Sequence, residues 1–357
     1  MDVAPRSSGL HALHRSAYRS ASTTESAADD AWARARHQLY EVEKLMRRFT
    51  TVSGIIGQAA TYCLSSGGKR WRPLFLLAVG EVMRCDAFDL RHLAAATELL
   101  HNASLVHDDI HDRDTIRRGK ETVWRRYGEE TAINLGDFLI TSTYLALSKI
   151  TSHKAIALRL VSYFAESSHK VIAGQSAEIE ASRRLDIKLD GYRQIALGKS
   201  GVLMALPVVG ALMLANTHAD ILSNARQAME WLGVAYQIQD DLYDLFGLKD
   251  GRPAGVDLRE GRMSLPTLLF KMGAQQHDRE AFETFIQSYE PHSESELRYW
   301  VERLQRSFAV EKCREEFDRT VQTALRHTSE LPDPLRSVLE CGKDMILTKK
   351  IREIFSQ

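Results

Sequence analysis

Apolar residues recur at three- and four-residue spacing along almost the whole chain from residue 30 onward, in stretches separated by short Gly, Ser and Pro signals. This period lines up apolar side chains on one face of an α-helix, and alternating strand-like runs are short and few. The predicted helices span residues 30–49, 73–85, 88–110, 129–150, 154–181, 201–215, 219–246, 263–273, 278–288, 293–306 and 309–328. The sequence therefore predicts an all-α bundle whose ligand sites lie in the core, between facing helices.

The same pattern predicts how the chain is organised. No Pro/Gly/Ser-rich linker follows the N-terminal segment, so we predict one helical domain over residues 30–357. Residues 1–29 are predicted to be a disordered extension or an organelle-targeting segment, because residues 5–28 are rich in Ser, Ala and Arg and contain one acidic residue, Glu25. We expect a cytoplasmic protein, with organelle targeting as the alternative. Pro73, Pro207 and Pro266 lie near the starts of apolar runs and are predicted to occupy first helical turns.

Composition excludes several classes of function. Lys+Arg and Asp+Glu are balanced at 47 each, which argues against a generic binder of nucleic acid or of membrane surfaces. The four cysteines are widely spaced and form no CxxC pair, so neither a zinc site nor a disulfide framework is predicted. No apolar run is long enough to predict a transmembrane segment. Local clusters of charge must therefore carry the function.

Two acidic clusters share one internal spacing, DDIHD at residues 108–112 and DDLYD at residues 240–244. Each follows an apolar, helix-like stretch, so its first and last Asp lie one turn apart on one helical face. Like charges at that spacing destabilise a bare helix, which indicates that a cation shares the site. Mg²⁺ takes carboxylate oxygens and commonly completes its shell with substrate phosphates. One such cluster alone would more often be a solvated helix face, but two facing clusters predict a Mg²⁺-diphosphate site.

Basic residues accompany the first acidic cluster. The segment GGKRWRP at residues 67–73 places three cations in a glycine-led loop before a helix, an arrangement that binds phosphate oxygens. Arg117 and Arg118 follow the cluster within a short loop, and His101 precedes it by two turns on about the same helical face. Charges interleaved in this way suit a substrate that is itself anionic and is bridged by metal ions.

The chain resembles the trans-isoprenyl (polyprenyl) diphosphate synthase family over about residues 35–350, because six motifs occur in the family's order and spacing. These motifs are GGKRWRP, ELLHNASLVHDDIHDRD-x-x-RRG, GQ-x-x-E, GKSG, YQIQDDLYD and GVDLREGR-x-SLP. The resemblance implies an isoprenoid-synthase type of helical bundle with a central active-site cavity. It also implies Mg²⁺ as cofactor, isopentenyl diphosphate and an allylic diphosphate as substrates, and a homodimer.

The resemblance also implies a role for each matching residue. The implied principal Mg²⁺ ligands are Asp108, Asp112 and Asp240, with Asp109, Asp241 and Asp244 completing the acidic walls. The groups implied to hold the allylic diphosphate are Arg117, Lys199, Gln175 and Gln237. The groups implied to hold isopentenyl diphosphate are Lys69, Arg72, His101 and Arg118. Arg252 and Arg262 are expected to contact substrate where the family usually has Lys, so a planar guanidinium replaces a point charge. Catalysis is expected to depend on Asp108, Asp112, Lys199 and Asp240.

The implied reaction is a head-to-tail condensation. The allylic diphosphate loses pyrophosphate, the double bond of isopentenyl diphosphate attacks the allylic cation, and a proton is lost to the departing pyrophosphate. In this family, bulky residues one turn before the first acidic cluster act as a floor for the growing tail. Ala103 and Ser104 occupy those positions and are small, which predicts an all-trans product of about twenty carbons or more, such as geranylgeranyl diphosphate. Alternatively, these small residues only allow close helix packing, and the floor is formed by Leu99 or Leu100, by another helix or by the partner subunit.

Two other functions share part of the pattern. A class I terpene cyclase has the same kind of helical fold and a first aspartate-rich motif, but it usually lacks a second DDxxD and an isopentenyl pocket. A subunit of a heteromeric prenyl synthase typically loses aspartates from one or both motifs. This chain keeps both DDxxD motifs together with Lys69, Arg72 and His101, which favours a synthase.

Overall fold

The computed structural model describes residues 10–152, 154–184, 187–249, 253–262, 264–288 and 292–355. Its α-helices are α1 (Leu10–Phe49), α2 (Ile55–Leu64), α3 (Trp71–Val82), α4 (Ala87–His111), α5 (Val123–Tyr127), α6 (Glu129–Leu147), α7 (Lys154–Arg184), α8 (Leu189–Ala196), α9 (Val202–Leu214), α10 (Ala219–Leu245), α11 (Val256–Arg259), α12 (Leu265–Gly273), α13 (Gln276–Ile286), α14 (Glu294–Gln305), α15 (Phe308–Ser329), α16 (Leu335–Ile346) and α17 (Lys350–Ile354). Leu197–Gly201 form one π-helical turn between α8 and α9. In the described ranges the only strands are β1 (Ile116–Arg117) and β2 (Lys120–Glu121), which form a hairpin, so the all-α prediction is confirmed.

Each predicted helical stretch coincides with an observed helix, and the differences are informative. α1 begins at Leu10, inside the predicted N-terminal extension, and Ala28 is fully buried. The helices that were not predicted are α2, α5, α8, α11, α16 and α17, none of which exceeds 12 residues. Short helices offer few periods of apolar spacing, so a pattern search detects them poorly.

The core lies along α10, which packs against α9, the π turn, α12 and α15. The largest apolar cluster joins α1 to α4, α6, α7 and α9, and a second surrounds α8, α10, α12 and α15. Trp231 and Leu347 pack against both clusters, so apolar packing is continuous between them. A third cluster is built from aromatic side chains of α12 to α14, including Phe270, Phe282 and Trp300.

The stretch Leu189–Leu214 runs through α8, the π turn and α9 without a break. It is long and apolar enough to cross a bilayer, but 67% of its most apolar window is buried inside the protein, as expected of a core helix. Pro207 lies inside α9, so the prediction that it occupies a first turn is wrong. The apolar run that starts at residue 201 marks where this helix becomes buried, whereas the helix itself begins at Leu189. Pro73 and Pro266 do lie in first turns, those of α3 and α12.

Candidate active site

A cavity of about 620 Å³ lies between α3, α4, α7, the π turn, α9 and α10. Most of the predicted site residues line it, namely Lys69, Arg72, His101, Ser104, Asp108, Asp112, Arg117, Arg118, Lys199, Gln237, Asp240, Asp241 and Arg262. Four others do not line it, namely Ala103, Asp109, Gln175 and Asp244. Arg252 lies outside the described residues. The cavity therefore joins side chains that are far apart in the sequence.

The first acidic wall consists of Asp108 and Asp112, at the C-terminal end of α4. This helix starts at Asp86, whose carboxylate accepts the N–H groups of Phe88 and Asp89, and Asp112 is its C-cap. The four-residue spacing places both wall carboxylates on the cavity face. Burial raises the pKa of Asp108 above its ordinary value, Lys199 opposes this, and the charge of Asp112 adds to it. The wall therefore favours a cation beside Asp108.

Asp109 faces away from the cavity and is 4% exposed. Its carboxylate accepts a hydrogen bond from Nε of Arg117 at 2.5 Å, and Arg117 also lies 3.4 Å from Asp114. Arg117 ends β1, and the two-residue hairpin turn that follows has positive φ at Arg118 (54°) and Gly119 (73°). Asp109 therefore orients a cation of the cavity and is not itself part of the acidic wall that faces it.

The second acidic wall consists of Asp240, Asp241 and Asp244 on α10, and its members differ in their surroundings. Asp240 faces the cavity, where Nζ of Lys249 lies 2.8 Å from it. Asp241 is almost fully buried and accepts hydrogen bonds from Tyr192 Oη (2.8 Å), Leu265 N (2.8 Å) and Gln237 Nε2 (2.9 Å). Burial and then Asp257 raise the pKa of Asp241 to about 7, and these three donors oppose the rise. The donors occupy its oxygens, so Asp241 ties α10 to α8 and α12.

Asp244 is 2% exposed and does not line the cavity. Its Oδ2 accepts the backbone N–H of Asp257 at 2.9 Å, which fixes the start of α11 beneath the second wall. Its Oδ1 is buried and has no hydrogen-bond partner among the described residues. Burial and then Asp257 raise the pKa of Asp244 to about 6. The Lys249 ammonium lies 3.8 Å from Oδ1, so this buried carboxylate has a cation beside it but no close hydrogen bond to that oxygen.

Arg262 connects the two acidic walls. Its guanidinium lies 3.4 Å from Asp112 of the first wall and 3.2 Å from Asp257, which sits beside the second. Asp257 is on α11, whose start is held against α10 by Asp244, so Arg262 links the first wall to the segment beside the second. Asp108, Asp112 and Asp240 all line the same cavity, which brings the two walls together.

The π turn delivers Lys199 to the cavity between the walls. Its Nζ lies 2.6 Å from Glu178 on α7. Burial alone would lower the pKa of Lys199, but the charges of Asp108 and Glu178 outweigh it and the pKa is raised. The turn lies close to α10, because a Cβ built on Gly233 would come within 2.5 Å of the Cα of Gly201. The extra residue of a π turn and these two glycines together set the position of the lysine.

Gln237 and Gln175, both predicted to hold the allylic diphosphate, have different surroundings. Gln237 lines the cavity, accepts a hydrogen bond from Ser200 Oγ at 2.6 Å and donates one to Asp241. Gln175 is buried, and its Oε1 has no hydrogen-bond partner among the described residues.

The opposite end of the cavity is cationic, and we call Lys69, Arg72, His101 and Arg118 the cationic end. Gly68 has φ 136°, and a Cβ there would lie 2.7 Å from the guanidinium of Arg118, which donates to the carbonyl of Gly67. The loop leading to α3 thus favours glycine for its backbone conformation, whereas the Arg118 guanidinium is the end of a flexible side chain that could shift away from a Cβ.

Arg70 and Glu98 also line the cavity and fix the structure of this end. Arg70 is buried, has φ 47°, and donates to Glu98 at 2.8 Å and to the carbonyl of Leu64 at 2.9 Å. Glu98 lies three residues before His101, on the same face of α4. The pair therefore fixes the loop that carries Lys69 and Arg72 against the helix that carries His101.

His101 is neutral in this environment. Arg72 lies 2.8 Å from its Nε2, and because a guanidinium only donates, that nitrogen accepts. Burial, and next the charge of Arg72, lower the pKa of His101 well below its ordinary value. Burial also lowers the pKa of Arg72 to about 10, which leaves the guanidinium charged near neutral pH.

The apolar part of the cavity is lined by Ser104 and Leu105 of α4, Leu203 and Met204 of α9, and Tyr236 of α10. Ala103 points into the helical core and is 1% exposed, so of the two predicted chain-length residues only Ser104 faces the cavity. Leu99 and Leu100 are buried and do not line the cavity.

Sequence reasoning missed several residues of the cavity. Lys249, Asp257 and Met204 line it without having been predicted, and Asp257 lies within the GVDLREGR motif. Lys249 follows the second acidic cluster by five residues, beyond the end of α10, and no local pattern marks it. Glu98 could have been predicted from the sequence, because it precedes His101 by three residues and therefore lies on the same helical face.

Carboxylate oxygens dominate the acidic part of the cavity, and this donor chemistry fits a hard divalent cation such as Mg²⁺. The Oδ1 of Asp244 is buried without a hydrogen bond and has the Lys249 ammonium 3.8 Å away, a second sign that positive charge is favoured there. Within the described ranges, no three carboxylate, His or Cys side chains converge closely enough to hold a metal ion by themselves.

Residues 53–304 match the polyprenyl synthetase family. The chain is 28% identical over 296 residues to heptaprenyl diphosphate synthase component 2 of Geobacillus stearothermophilus, which covers 81% of this chain and 88% of that protein. It is 33% identical over 223 residues to farnesyl diphosphate synthase of Bacillus subtilis, which covers 60% of this chain and 75% of that enzyme. A polyprenyl synthase structure from Caulobacter crescentus, complexed with calcium and isoprenyl diphosphate, superimposes with a TM-score of 0.81 at 25% identity, covering 89% of this chain and 97% of that one. The family match covers most of the chain, and the fold and cavity agree with it. This chain belongs to the polyprenyl synthetase family of prenyltransferases.

Proposed function

We propose that this protein is a Mg²⁺-dependent synthase that condenses isopentenyl diphosphate with an allylic diphosphate into an all-trans polyprenyl diphosphate of about twenty carbons or more. The observation that supports the proposal is that carboxylates of both acidic walls, Asp108, Asp112 and Asp240, line one cavity. The cationic end lines the same cavity and offers positive charge for a second anion. On this proposal the acidic walls hold the metal-bridged allylic diphosphate and the cationic end holds the diphosphate of isopentenyl diphosphate.

The proposed reaction balances without a nucleophilic side chain. The C–O bond of the allylic diphosphate breaks and its electron pair leaves with pyrophosphate. The double bond of isopentenyl diphosphate then attacks the allylic cation and forms the new C–C bond. The pyrophosphate accepts a proton from the resulting cation, and loss of that proton forms a new double bond. A bound Mg²⁺ supplies positive charge to the leaving oxygens. Asp108, Asp112 and Asp240 would hold it, and their placement on the cavity supports this assignment.

The protein's own cations divide into two sets. Lys199 and Arg117 lie beside the acidic walls and would bind the allylic diphosphate, with Gln237 next to them. The cationic end would bind isopentenyl diphosphate, where neutral His101 donates through one ring nitrogen while Arg72 holds the other. Fixed cations of this kind stabilise charge on a leaving group without reorganising.

Product length is proposed to depend on Ser104, since it faces the cavity one turn before Asp108. Ser104→Phe would fill the apolar part of the cavity and shorten the product while turnover continues. Ala103→Phe would instead crowd the core between helices and lower stability. The measurement is chromatography of dephosphorylated products for both variants, together with urea denaturation. An unchanged product pattern in Ser104→Phe would show that α4 does not limit product length. Met204 on α9, which also lines the cavity, would then be the next candidate.

The proposed function is tested by incubating purified protein with Mg²⁺, isopentenyl diphosphate and geranyl, farnesyl or geranylgeranyl diphosphate. Elongated prenyl diphosphates as products would support the proposal. Cyclic hydrocarbons would instead identify the protein as a terpene cyclase. We further propose a homodimer, to be checked by light scattering. One relative is named as a component of a heptaprenyl diphosphate synthase. If this protein had no activity until a second protein was added, it would be identified as a subunit of a heteromeric enzyme.

A further inference from the structure

Lys249 places an ammonium group inside the second acidic wall. Its Nζ lies 2.8 Å from Asp240, 3.8 Å from Asp244 and 4.0 Å from Asp257, and its side chain is 16% exposed. Three carboxylates from two segments of the chain thus converge on one monovalent cation. Lys249 also lines the cavity, so the ammonium stands between these carboxylates and any ligand that enters.

The end of α10 explains why a residue beyond the helix returns to the wall. Gly247 has φ 64°, its N–H bonds the carbonyl of Asp244, and the N–H of Leu248 bonds the carbonyl of Tyr243. This is the Schellman arrangement, which reverses the chain direction at a helix C-terminus. Lys249 therefore follows a fixed turn and does not reach the acidic wall through a long flexible loop.

The cations present leave the acidic region short of positive charge. Lys249 and Arg262 together contact five carboxylates, those of Asp112, Asp240, Asp244, Asp257 and Glu260. The buried Oδ1 of Asp244 has no hydrogen-bond partner among the described residues, and Nζ of Lys249 lies 3.8 Å from it. Two positive charges among five carboxylates do not neutralise this region, so it can accommodate more positive charge.

We propose that Lys249 is a resident counter-cation that occupies the divalent-cation position at Asp240 and must leave before a metal ion binds there. This inference rests on the proposed function and deepens it, because it assigns an order to ligand binding. An ammonium at 2.8 Å and a divalent ion compete for the same carboxylate oxygen. Diphosphate oxygens entering the cavity offer Lys249 other partners, so the second wall accepts its metal together with the substrate and not before it.

The test uses Mn²⁺ as the probe, because the electron paramagnetic resonance signal of free Mn²⁺ counts the ions that remain unbound. The full-length protein and Lys249→Met, which keeps the side-chain length and removes the charge, are titrated without any diphosphate. We expect Lys249→Met to bind one Mn²⁺ about tenfold more tightly than the wild type. Adding inorganic pyrophosphate should narrow the difference, because pyrophosphate oxygens draw Lys249 away in the wild type.

Three further variants make the result specific. Lys249→Arg keeps a cation and should bind Mn²⁺ as weakly as the wild type. The double variant Lys249→Met/Asp240→Asn should lose the gain in affinity. Lys271→Met, which removes a lysine paired with Glu283 outside the cavity, should leave Mn²⁺ binding unchanged. Thermal unfolding with and without Mn²⁺ gives a second readout, in which Lys249→Met should gain more stability from the ion than the wild type does.

Equal or weaker Mn²⁺ binding by Lys249→Met would overturn the role of Lys249, even if the wild type elongates prenyl diphosphates normally. Conversely, tighter binding by Lys249→Met in a protein that elongates no allylic primer would support the counter-cation and reject the proposed reaction. Mn²⁺ binding therefore tests the role of Lys249, and elongation of allylic primers separately tests the proposed reaction.

Discussion

The two acidic walls have the same DDxxD spacing, and yet the protein uses them differently. In the first wall the outer carboxylates, Asp108 and Asp112, face the cavity, and the middle one orients an arginine. In the second wall only Asp240 is an open ligand position. Asp241 holds three hydrogen bonds, and Asp244 is buried against the start of α11.

Both motifs lie in the last turns of their helices, so the difference arises from what packs around each one. Asp112, the C-cap of α4, lines the cavity and lies 3.4 Å from Arg262. The end of α10 packs against α8, α11, α12 and α15, so Asp241 and Asp244 contact protein groups instead. A shared motif therefore specifies spacing, while neighbouring elements specify whether each carboxylate binds a ligand or the protein.

The strongest test compares the open carboxylates with an exposed one elsewhere. Asp108→Ala and Asp240→Ala should each lower kcat by about a thousandfold or more, because charge stabilisation of the leaving pyrophosphate is lost. Steady-state kinetics at saturating Mg²⁺ would measure this. Asp318→Ala, at an exposed position of α15, should have wild-type rates. Near-normal turnover in either wall variant would remove that wall from catalysis.

The neighbouring positions Asp240 and Asp241 separate catalysis from stability. Asp241→Ala should lower the free energy of unfolding by about 3 kcal/mol, because it leaves Tyr192, Gln237 and the N–H of Leu265 without their acceptor. Asp240→Ala should change it by less than about 1 kcal/mol, since that side chain is 41% exposed. Urea denaturation of the two variants measures both values. Equal losses would mean that the two carboxylates have the same structural role.

The contact between α10 and the π turn can be tested with a matched pair of glycines. Gly233→Ala should cost about 2 kcal/mol and lower activity roughly tenfold, because its Cβ would displace the turn that carries Lys199. Gly210→Ala on α9 is the control, since its nearest neighbour would be an ordinary 3.6 Å away. Denaturation and kinetics are measured for both variants. If Gly233→Ala behaves like Gly210→Ala, the close packing does not position the lysine.

The smallest expected effect concerns His101 of the cationic end, which lies on α4 two turns before the first wall. His101 has a folded-state pKa below its unfolded value, so the unfolded chain binds the proton more readily. Stability is therefore intact above the unfolded pKa and falls as the pH drops below it, by roughly 1.5 kcal/mol between pH 7 and 5. In His101→Gln this part of the pH dependence of unfolding should disappear. An identical pH slope in the variant would show that His101 does not titrate as its burial requires.

Much of the molecule could be predicted from its sequence, and the exceptions have physical causes. Long amphipathic helices such as α4 and α10 were predicted to within a few residues because their apolar period is sustained. The cavity residues came from ordered motifs. Asp109 and Asp244 were misplaced because a one-dimensional spacing does not say which neighbour packs behind each carboxylate. Lys249 could not be predicted, since its position depends on the turn that ends α10 and directs the side chain back toward Asp240.

The π turn at Leu197–Gly201 fixes the angular phase between the two halves of the long helical stretch. One residue of a regular α-helix corresponds to a rotation of about 100°. Deleting a single residue here would restore the regular geometry and swing α8, with Tyr192, around the axis relative to α9. Tyr192 would then no longer meet Asp241. The number of residues in this turn is therefore constrained, and an insertion or deletion there would be harmful whatever the side chains are.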